Sequence, residues 1–409
     1  ATASHDSSTI GCGRLTSDTN VTLTIEPGVI LFGATGQSWL VVNRGNKIAA
    51  LGTRNQPIIF TSRQNVEGEV SDSSHGHWGG VVLLGRARTT DCDNGSVAQN
   101  TCERETEGAA DLALYGGTDD ADSSGTMRYV QIRYSGFVLG ANSELQALTT
   151  GSIGSGTTLE YIQAHNSSDD GVEFFGGVVN MKYLIVTGAD DDSLDVDTGA
   201  RADLQYVMLI QRPGMGDALM EIDSNGHEGD SPRTRLRLAN CVAIQPQVSG
   251  NNESNAGASL FFRGNADVTL VNGLVVTPNN QCIRMNGSGT TPATLVAHSV
   301  AMTCGGNPKY IGTGTYNASQ VEAMFGSGSN NNTDNLTSTL TMQFVNGANE
   351  DAIVAFDAST LSDFFDTPNP NRVGAAWSGN NSWYTGWTCN SSTANFGSSS
   401  TACTSLPTT

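Results

Sequence analysis

The sequence predicts an all-β chain, a right-handed parallel β-helix with an irregular, partly helical C-terminal cap. Three observations carry this. Short apolar strands recur along the chain, two strand types return on a shared period of about 22 residues, and Gly is abundant (48) where Pro is scarce (11). Gly together with Ser, Thr and Asn suits many tight corners and polar outer faces, and argues against long helices.

The strands come in the order LTIEPGVILFG, WLVVNRGNKIAALGT, PIIFTS, WGGVVLLG, MRYVQIRYSG, LEYIQAHN, MKYLIVTG, LQYVMLIQ, LRLANCVAI, VTLVNGLVV and TLVAHSVAM. Each is a short run rich in Val, Ile, Leu and Tyr, bounded by Gly, Asn, Asp or Ser. The aromatic of the LEYIQ type falls at Tyr161, Tyr183 and Tyr206, in steps of 22 and 23. A second type, DDGVEF, DDSLDV and DALMEI, starts at Asp169, Asp191 and Asp217, in steps of 22 and 26. Two types alternating on one beat mean that each coil feeds two separate parallel sheets. A single coil cannot bury its apolar face, so neighbours must stack. Leucine-rich repeats lack a match because LxxLxLxxN is missing. A sandwich would need phased NG or DG hairpin turns, and there are none.

The body is expected over 1–304, interrupted by a polar excursion at about 88–125, and a C-terminal cap over 305–409 where the period is lost. Two short helices are expected in the cap, NASQVEAMFG and ASTLSDFFD, each opened by residues that favour N-caps. Such a cap would cover the strand edges at the solenoid end. Trp377, Trp383, Tyr384 and Trp387 read as its apolar filling.

Net charge is −20, from 20 basic and 40 acidic residues. That surface repels nucleic acid and anionic membranes, and attracts multivalent cations or basic surfaces. No apolar run of about 18 residues offers a membrane span. The opening Ala-Thr-Ala-Ser-His reads as a mature N-terminus after signal removal, hence a secreted or outer-surface protein. Eight cysteines suggest oxidation outside the cytoplasm. Three pairs suggest themselves: Cys92 with Cys102 around a short polar loop, Cys389 with Cys403 closing the tail, and Cys282 with Cys304. The last two are 22 residues apart, one coil, and would sit on neighbouring rungs about 4.8 Å apart. Cys12 and Cys241 are left over, as a pair or as buried thiols.

The stretches LTIEPGV, IAALGTRNQPIIFTS, HWGGVVLLGRA, GTMRYVQIRYSG, LQALTTGSIGSGTTLEYIQ, SSDDGVEFFGGVVNMKYLIVTGADDDSLDVDTG and WYTGWTCN, in this order, resemble secreted and cell-surface β-helix proteins of Gram-negative bacteria. They cover most of 20–240 and the C-terminus. The resemblance implies the fold and an extracellular or outer-surface home, and it assigns no catalytic residue. Many relatives carry Trp after the Asp matching Asp195, where this chain has Val196.

Aligning the second strand type puts Val172, Leu194 and Met220 inward, with Phe174, Val196 and Ile222 inward two residues on. Alternation then sends Glu173, Asp195 and Glu221 outward in one column, and Phe175, Asp197 and Asp223 in the next. Asp169, Asp191 and Asp217 stack at the preceding turn. Like charges one rung apart destabilise a sheet unless something offsets them. Bound calcium or raised carboxyl pKa values would do so; the bland alternative is a solvated face screened by water and sodium. A second calcium candidate is Asp120-Ala-Asp122-Ser-Ser124-Gly125, the first half of a calcium loop, with Gln131 where a bidentate Glu is expected. An ordinary Asp/Ser/Gly turn competes with it. His75 and His77 beside Trp78 share a strand face and offer a weak metal pair.

Two function classes follow. One is a non-catalytic extracellular rod, structural, adhesive or ligand-binding, with a polysaccharide or cell-surface component as partner and scope for self-association into filaments. The other is a lyase or glycoside hydrolase acting on an acidic glycan with paired carboxylates. Asp169–Asp170 and Asp191–Asp192 resemble the double-Asp motif of polygalacturonases, and Gly226-His227-Glu228-Gly229 loosely echoes their glycine–histidine–glycine turn. Their Arg-Ile-Lys motif is missing, and a catalytic set should break a repeat rather than follow it. An anionic glycan also needs cations, for which Arg201, Arg212 and Arg263 are the candidates.

Overall fold

The computed structural model describes residues 20–36, 38–107, 113–140, 143–224, 226–250 and 257–407. Two long parallel sheets run along it. The first joins, in order, Thr22–Ile25, Lys47–Leu51, Gly125–Arg133, Thr158–His165, Val178–Thr187, Arg201–Ile210, Arg235–Ile244, Asp267–Thr277 and Thr294–His298. The second joins Leu40–Val42, Val81–Leu84, Leu148–Gly151, Val172–Phe175, Leu194–Asp197, Met220–Ile222, Ala258–Phe262, Gln281–Asn286 and Tyr310–Thr313. The chain alternates between them, so this is a parallel β-helix.

The core fills the space between the sheets with columns in register. One runs Leu159, Met181, Leu204, Leu238 and Leu270, and the facing one Leu148, Val172, Leu194, Met220, Leu260 and Ile283. Each such side chain removed from water contributes about 1.5–3 kcal/mol. The period is less regular than the sequence beat implied. His165 and Thr187 are 22 residues apart, Asp267 and Thr294 are 27, and Gln211 and Gln245 are 34. The strands keep their register, and the extra residues go into the turns.

Within the first sheet Tyr129, Tyr161, Tyr183 and Tyr206 each take a left-handed conformation, with φ of 51°, 54°, 63° and 61°. The pairing steps over them, as from Glu160↔Lys182 to Ile162↔Leu184. This bulge puts the rings outside the rod, where they stack at centroid separations of 4.4, 4.3 and 5.0 Å. A left-handed tyrosine costs about 1–2 kcal/mol, which the stacking offsets in part. Asn240 and Asn272 continue the ladder, and asparagine tolerates this conformation more readily.

The tail does two things where one was expected. Helix Ala318–Phe325, capped by Asn317, turns Val321 and Phe325 into the core and closes the last rung. Beyond it the chain does not stay at the end. It returns as a strap along the outer face of the first sheet, with Trp377, Trp383, Tyr384 and Trp387 packed against Ile185, Met208 and the tyrosine ladder. The strap reaches the early coils, where the buried Arg133 donates to the carbonyls of Cys403 (2.8 Å) and Ser405 (2.9 Å). So the rod runs on through Tyr310–Thr313, past the expected boundary at 304; residues 314–407 are an end cap followed by a strap, and those aromatics fill the strap interface. The second expected helix is only the single 3-10 turn Ala358–Thr360, because Asp357 caps Ser359 while Phe364 and Phe365 turn onto the rod beside Lys182 and Arg237.

All three expected disulfides are formed: Cys92–Cys102, Cys282–Cys304 and Cys389–Cys403. Cys304 stands over Thr277 in the first sheet, whereas Cys282 opens the next strand of the second. The bridge therefore spans a corner between the sheets rather than one strand column. Cys241 is a free thiol buried in the core, and burial pushes it up to about 12. Cys12 lies outside the described residues. Among the described residues no helix is long and apolar enough to cross a membrane.

Candidate functional site: an acidic recess on the second sheet

The expected acidic columns are present in register. Glu173 pairs with Asp195 and Asp195 with Glu221, and in the neighbouring column Phe175 pairs with Asp197. They do not form a solvated face. Glu173 and Glu221 are only 6% and 5% exposed, because the columns floor a recess of about 260 Å³. One wall comes from the excursion, which folds back onto the sheet instead of leaving the rod. Its two-stranded turn, Arg104–Glu105 against Leu114–Tyr115, seats Tyr115 on Phe175, Val82 and Leu84 and brings Arg104 and Glu107 over the carboxylates. Glu144 and Gln146 form another side, and Arg263 closes the far end.

Asp169, Asp191 and Asp217 meet at the turn, each with its neighbours on adjacent rungs. The Asp217 amide donates to the Asp191 carbonyl at 3.0 Å. Asp170 and Asp192 lie here too: the Asp192 amide donates to Asp170 Oδ1 (2.8 Å) and the Ala218 amide to Asp192 Oδ1 (2.5 Å). Carboxylate oxygens converge in three sets: Asp169, Asp170 and Asp191; Asp170, Glu173 and Asp195; and Asp191, Asp192 and Asp217. Within each set they lie within 4.8 Å of one another, about twice a calcium–oxygen bond.

The electrostatics follow from crowding without water. Burial, and then Glu144 and Glu107, push Asp169 up to about 8; burial, and then Asp223, do the same for Asp197. Asp170, Glu173, Asp192 and Asp195 are all raised well above the usual carboxylate range, by burial first and neighbouring carboxylates second. Arg263 offsets part of this at one end, with contacts of 2.5 Å to Glu221 and 2.7 Å to Asp223. In the middle of the floor the compensation is missing. Asp195 Oδ1 is buried without a hydrogen-bond partner. An all-oxygen donor set with an orphaned buried carboxylate atom fits a hard cation such as calcium.

Asp120, Asp122 and Ser124 are each taken up by groups of the protein. Asp120 takes two hydrogen bonds from Arg201 (2.7 and 2.8 Å) and others from Arg88. Burial pushes its carboxyl up, but these arginines more than offset that and hold it well below the usual range. Asp122 accepts from the Arg86 amide (2.8 Å), and Ser124 Oγ donates to the Leu84 carbonyl (3.1 Å). The segment pins the excursion to the rod, its oxygens spent on protein donors. Of the arginines considered for an anionic ligand, Arg201 is spent here, Arg212 pairs with Asp190, and only Arg263 reaches the recess. Of the two histidines, His75 Nδ1 lies 2.7 Å from Asp190 and His77 Nδ1 lies 3.3 Å from Ser62 Oγ.

Asp170 and Asp192 were visible as the second members of a repeated Asp-Asp. Arg104, Glu107, Glu144 and Gln146 carried no signal, since they sit on irregular segments outside the repeat.

A solenoid of stacked parallel coils with an acidic recess on one sheet is the class of molecule that fold and site define. More closely, the chain belongs to the pectate-lyase-like β-helix domain family, whose model matches residues 9–388. That family includes polysaccharide-active enzymes. No curated protein matches the chain. No solved structure matches it.

Proposed function

We propose that the protein is a non-catalytic extracellular β-helix rod, structural, adhesive or ligand-binding, whose acidic recess holds calcium. The observation that carries this is Asp195 Oδ1 at the centre of the recess, buried beside Asp170 and Glu173 with no hydrogen-bond partner. A buried carboxylate left so is costly, and a cation between the three removes the cost. Three disulfides suit a location outside the cytoplasm. The helix closing the C-terminal end argues against filament growth from that end.

Thermal melting tests the reading. Calcium is expected to raise the melting temperature and a chelator to lower it, while Glu173→Gln and Asp195→Asn each lose most of the shift. A parent protein indifferent to millimolar calcium overturns it. A second reading, cleavage of an acidic glycan, is favoured by Asp169 and Asp197. With pKa values raised to about 8 they would hold protons to donate near neutrality, beside Arg104 and Arg263. Depolymerisation of such a glycan by the parent, abolished in a folded Asp195→Asn variant, would decide for the enzyme.

A further inference from the structure

Three side chains meet at the C-terminal end of the rod, and none of them lines the recess. Lys309 stands immediately before Tyr310–Thr313, the last strand of the second sheet. Asp334 and Asn335 follow the capping helix Ala318–Phe325, where Asn335 bridges to Thr303. Lys309 Nζ donates to Asn335 Oδ1 at 2.6 Å and to the Asp334 carbonyl at 2.7 Å. Asn335 Nδ2 donates to Asp334 Oδ1 at 3.0 Å, and the same oxygen lies 3.6 Å from Lys309 Nζ. One carboxylate oxygen thus neighbours both the amine and the amide nitrogen. It is held in place: Tyr310 Oη donates to Asp334 Oδ2 (3.0 Å), Ser327 Oγ donates to Oδ1 (2.9 Å), and Asp334 is buried.

The chemistry this arrangement permits is attack of the amine on the side-chain amide. A lysine amine is a nucleophile once it has lost a proton, and a carboxylate beside both amine and leaving group can carry that proton across. The identity of the partner matters. Of the three lysines in the chain, Lys182 meets the carboxylate of Asp366 (2.9 Å), a poor electrophile. Lys309 meets a neutral amide, whose carbonyl its own hydrogen bond polarises. Asn335 is exposed, so ammonia released there escapes to solvent.

We propose that Lys309 and Asn335 join in an intramolecular isopeptide bond, with Asp334 as the proton carrier. Nζ passes one proton to Asp334 and attacks Cγ of Asn335, forming the new C–N bond. Asp334 delivers the proton to Nδ2, the Cγ–Nδ2 bond breaks, and ammonia departs. The attacking nitrogen sheds a second proton, which leaves with the ammonia as ammonium, and no oxidant or cofactor is consumed. The bond closes a loop from 309 to 335 that contains the capping helix. The cap then stays on the last rung even when Cys282–Cys304 is reduced. None of this depends on the recess or on a cation there.

Mass spectrometry of the full chain, reduced after overnight incubation at physiological temperature, reads the bond directly. The parent should be lighter than its sequence by one ammonia, about 17 Da. Succinimide formation at an Asn-Gly pair gives the same loss, so trypsin decides between them, because it cuts after Lys309 only where the amine is free. The peptide ending at Lys309 should be lost from the parent, and fragmentation should place a link between Lys309 and Asn335. That peptide should return in Asn335→Ala and in Asp334→Asn, with melting curves to show that both are folded. Lys309→Arg keeps the charge and should carry its full mass, which serves if the other two misfold. The proposal is overturned if the parent keeps its full mass and is cut after Lys309. It is also overturned if folded Asp334→Asn forms the bond as the parent does.

Discussion

Gln163 and Cys389, 226 residues apart, exchange two hydrogen bonds: the side-chain amide donates to the Cys389 carbonyl (3.0 Å), and the Cys389 amide donates to Gln163 Oε1 (2.7 Å). Gln163 is fully buried, so neither backbone group has water as an alternative. Gln163→Leu should therefore cost about 1–3 kcal/mol for each group left unpaired. Denaturant unfolding measures that loss, and limited proteolysis should locate it in the strap. An unfolding midpoint equal to that of the parent would show that the strap is held without this pair.

The recess predicts an inverted pH response. An ordinary salt-bridged carboxylate stabilises a fold as pH rises, but Asp169 and Asp197 have pKa values raised to about 8 in the fold. Between the unfolded value, about 3.9, and that figure the native state holds more protons, so stability falls as pH rises. Chelator-treated protein should melt higher at pH 5 than at pH 8. Calcium should flatten the difference, because a bound cation stabilises the ionised form. A melting temperature that climbs from pH 5 to 8 without calcium would contradict the burial of these groups.

Asp120→Ala leaves Arg88 and Arg201 facing an empty position under the excursion. The expected loss is about 1.5–3 kcal/mol, the range for hydrogen bonds to charged groups. The calcium-dependent shift in melting should persist, since Asp120 is not among the residues lining the recess. Loss of the shift in this variant would return the segment to the list of calcium ligands.

Cysteine chemistry can be read by mass spectrometry. A non-reduced digest should contain Cys282 linked to Cys304 and Cys389 linked to Cys403. Cys241 should resist alkylation until the protein is unfolded, because it is buried and its thiol is pushed up to about 12. Rapid labelling under native conditions would mean that the rod opens around Asn240.

The floor of the recess was legible in the sequence because it obeys the repeat. Alternation and the steps between Asp169, Asp191 and Asp217 fix the Glu173, Asp195 and Glu221 column, and the register agrees. Its burial was not legible. Whether a column of carboxylates meets water depends on where Arg104, Glu107 and Glu144 fall, and those residues sit in segments with no period. The same limit applied to the tail. The Asn317 cap is a local signal and was readable, but nothing local in Trp383 or Trp387 tells that their partners are tyrosines some 200 residues earlier.

The strap also gives this solenoid an order of assembly. A repeat protein whose coils touch only their neighbours can complete each rung as the chain emerges. Here Arg133 and Gln163, in early coils, are buried under residues that follow them by 270 and 226 positions. Until those residues arrive, the tyrosine ladder and the apolar positions beside it, Ile185 and Met208, face solvent as a sticky stripe along the rod. Newly made chains are thus most prone to aggregate in the interval before the strap is synthesised, and a truncation near residue 345 would hold every molecule in that condition.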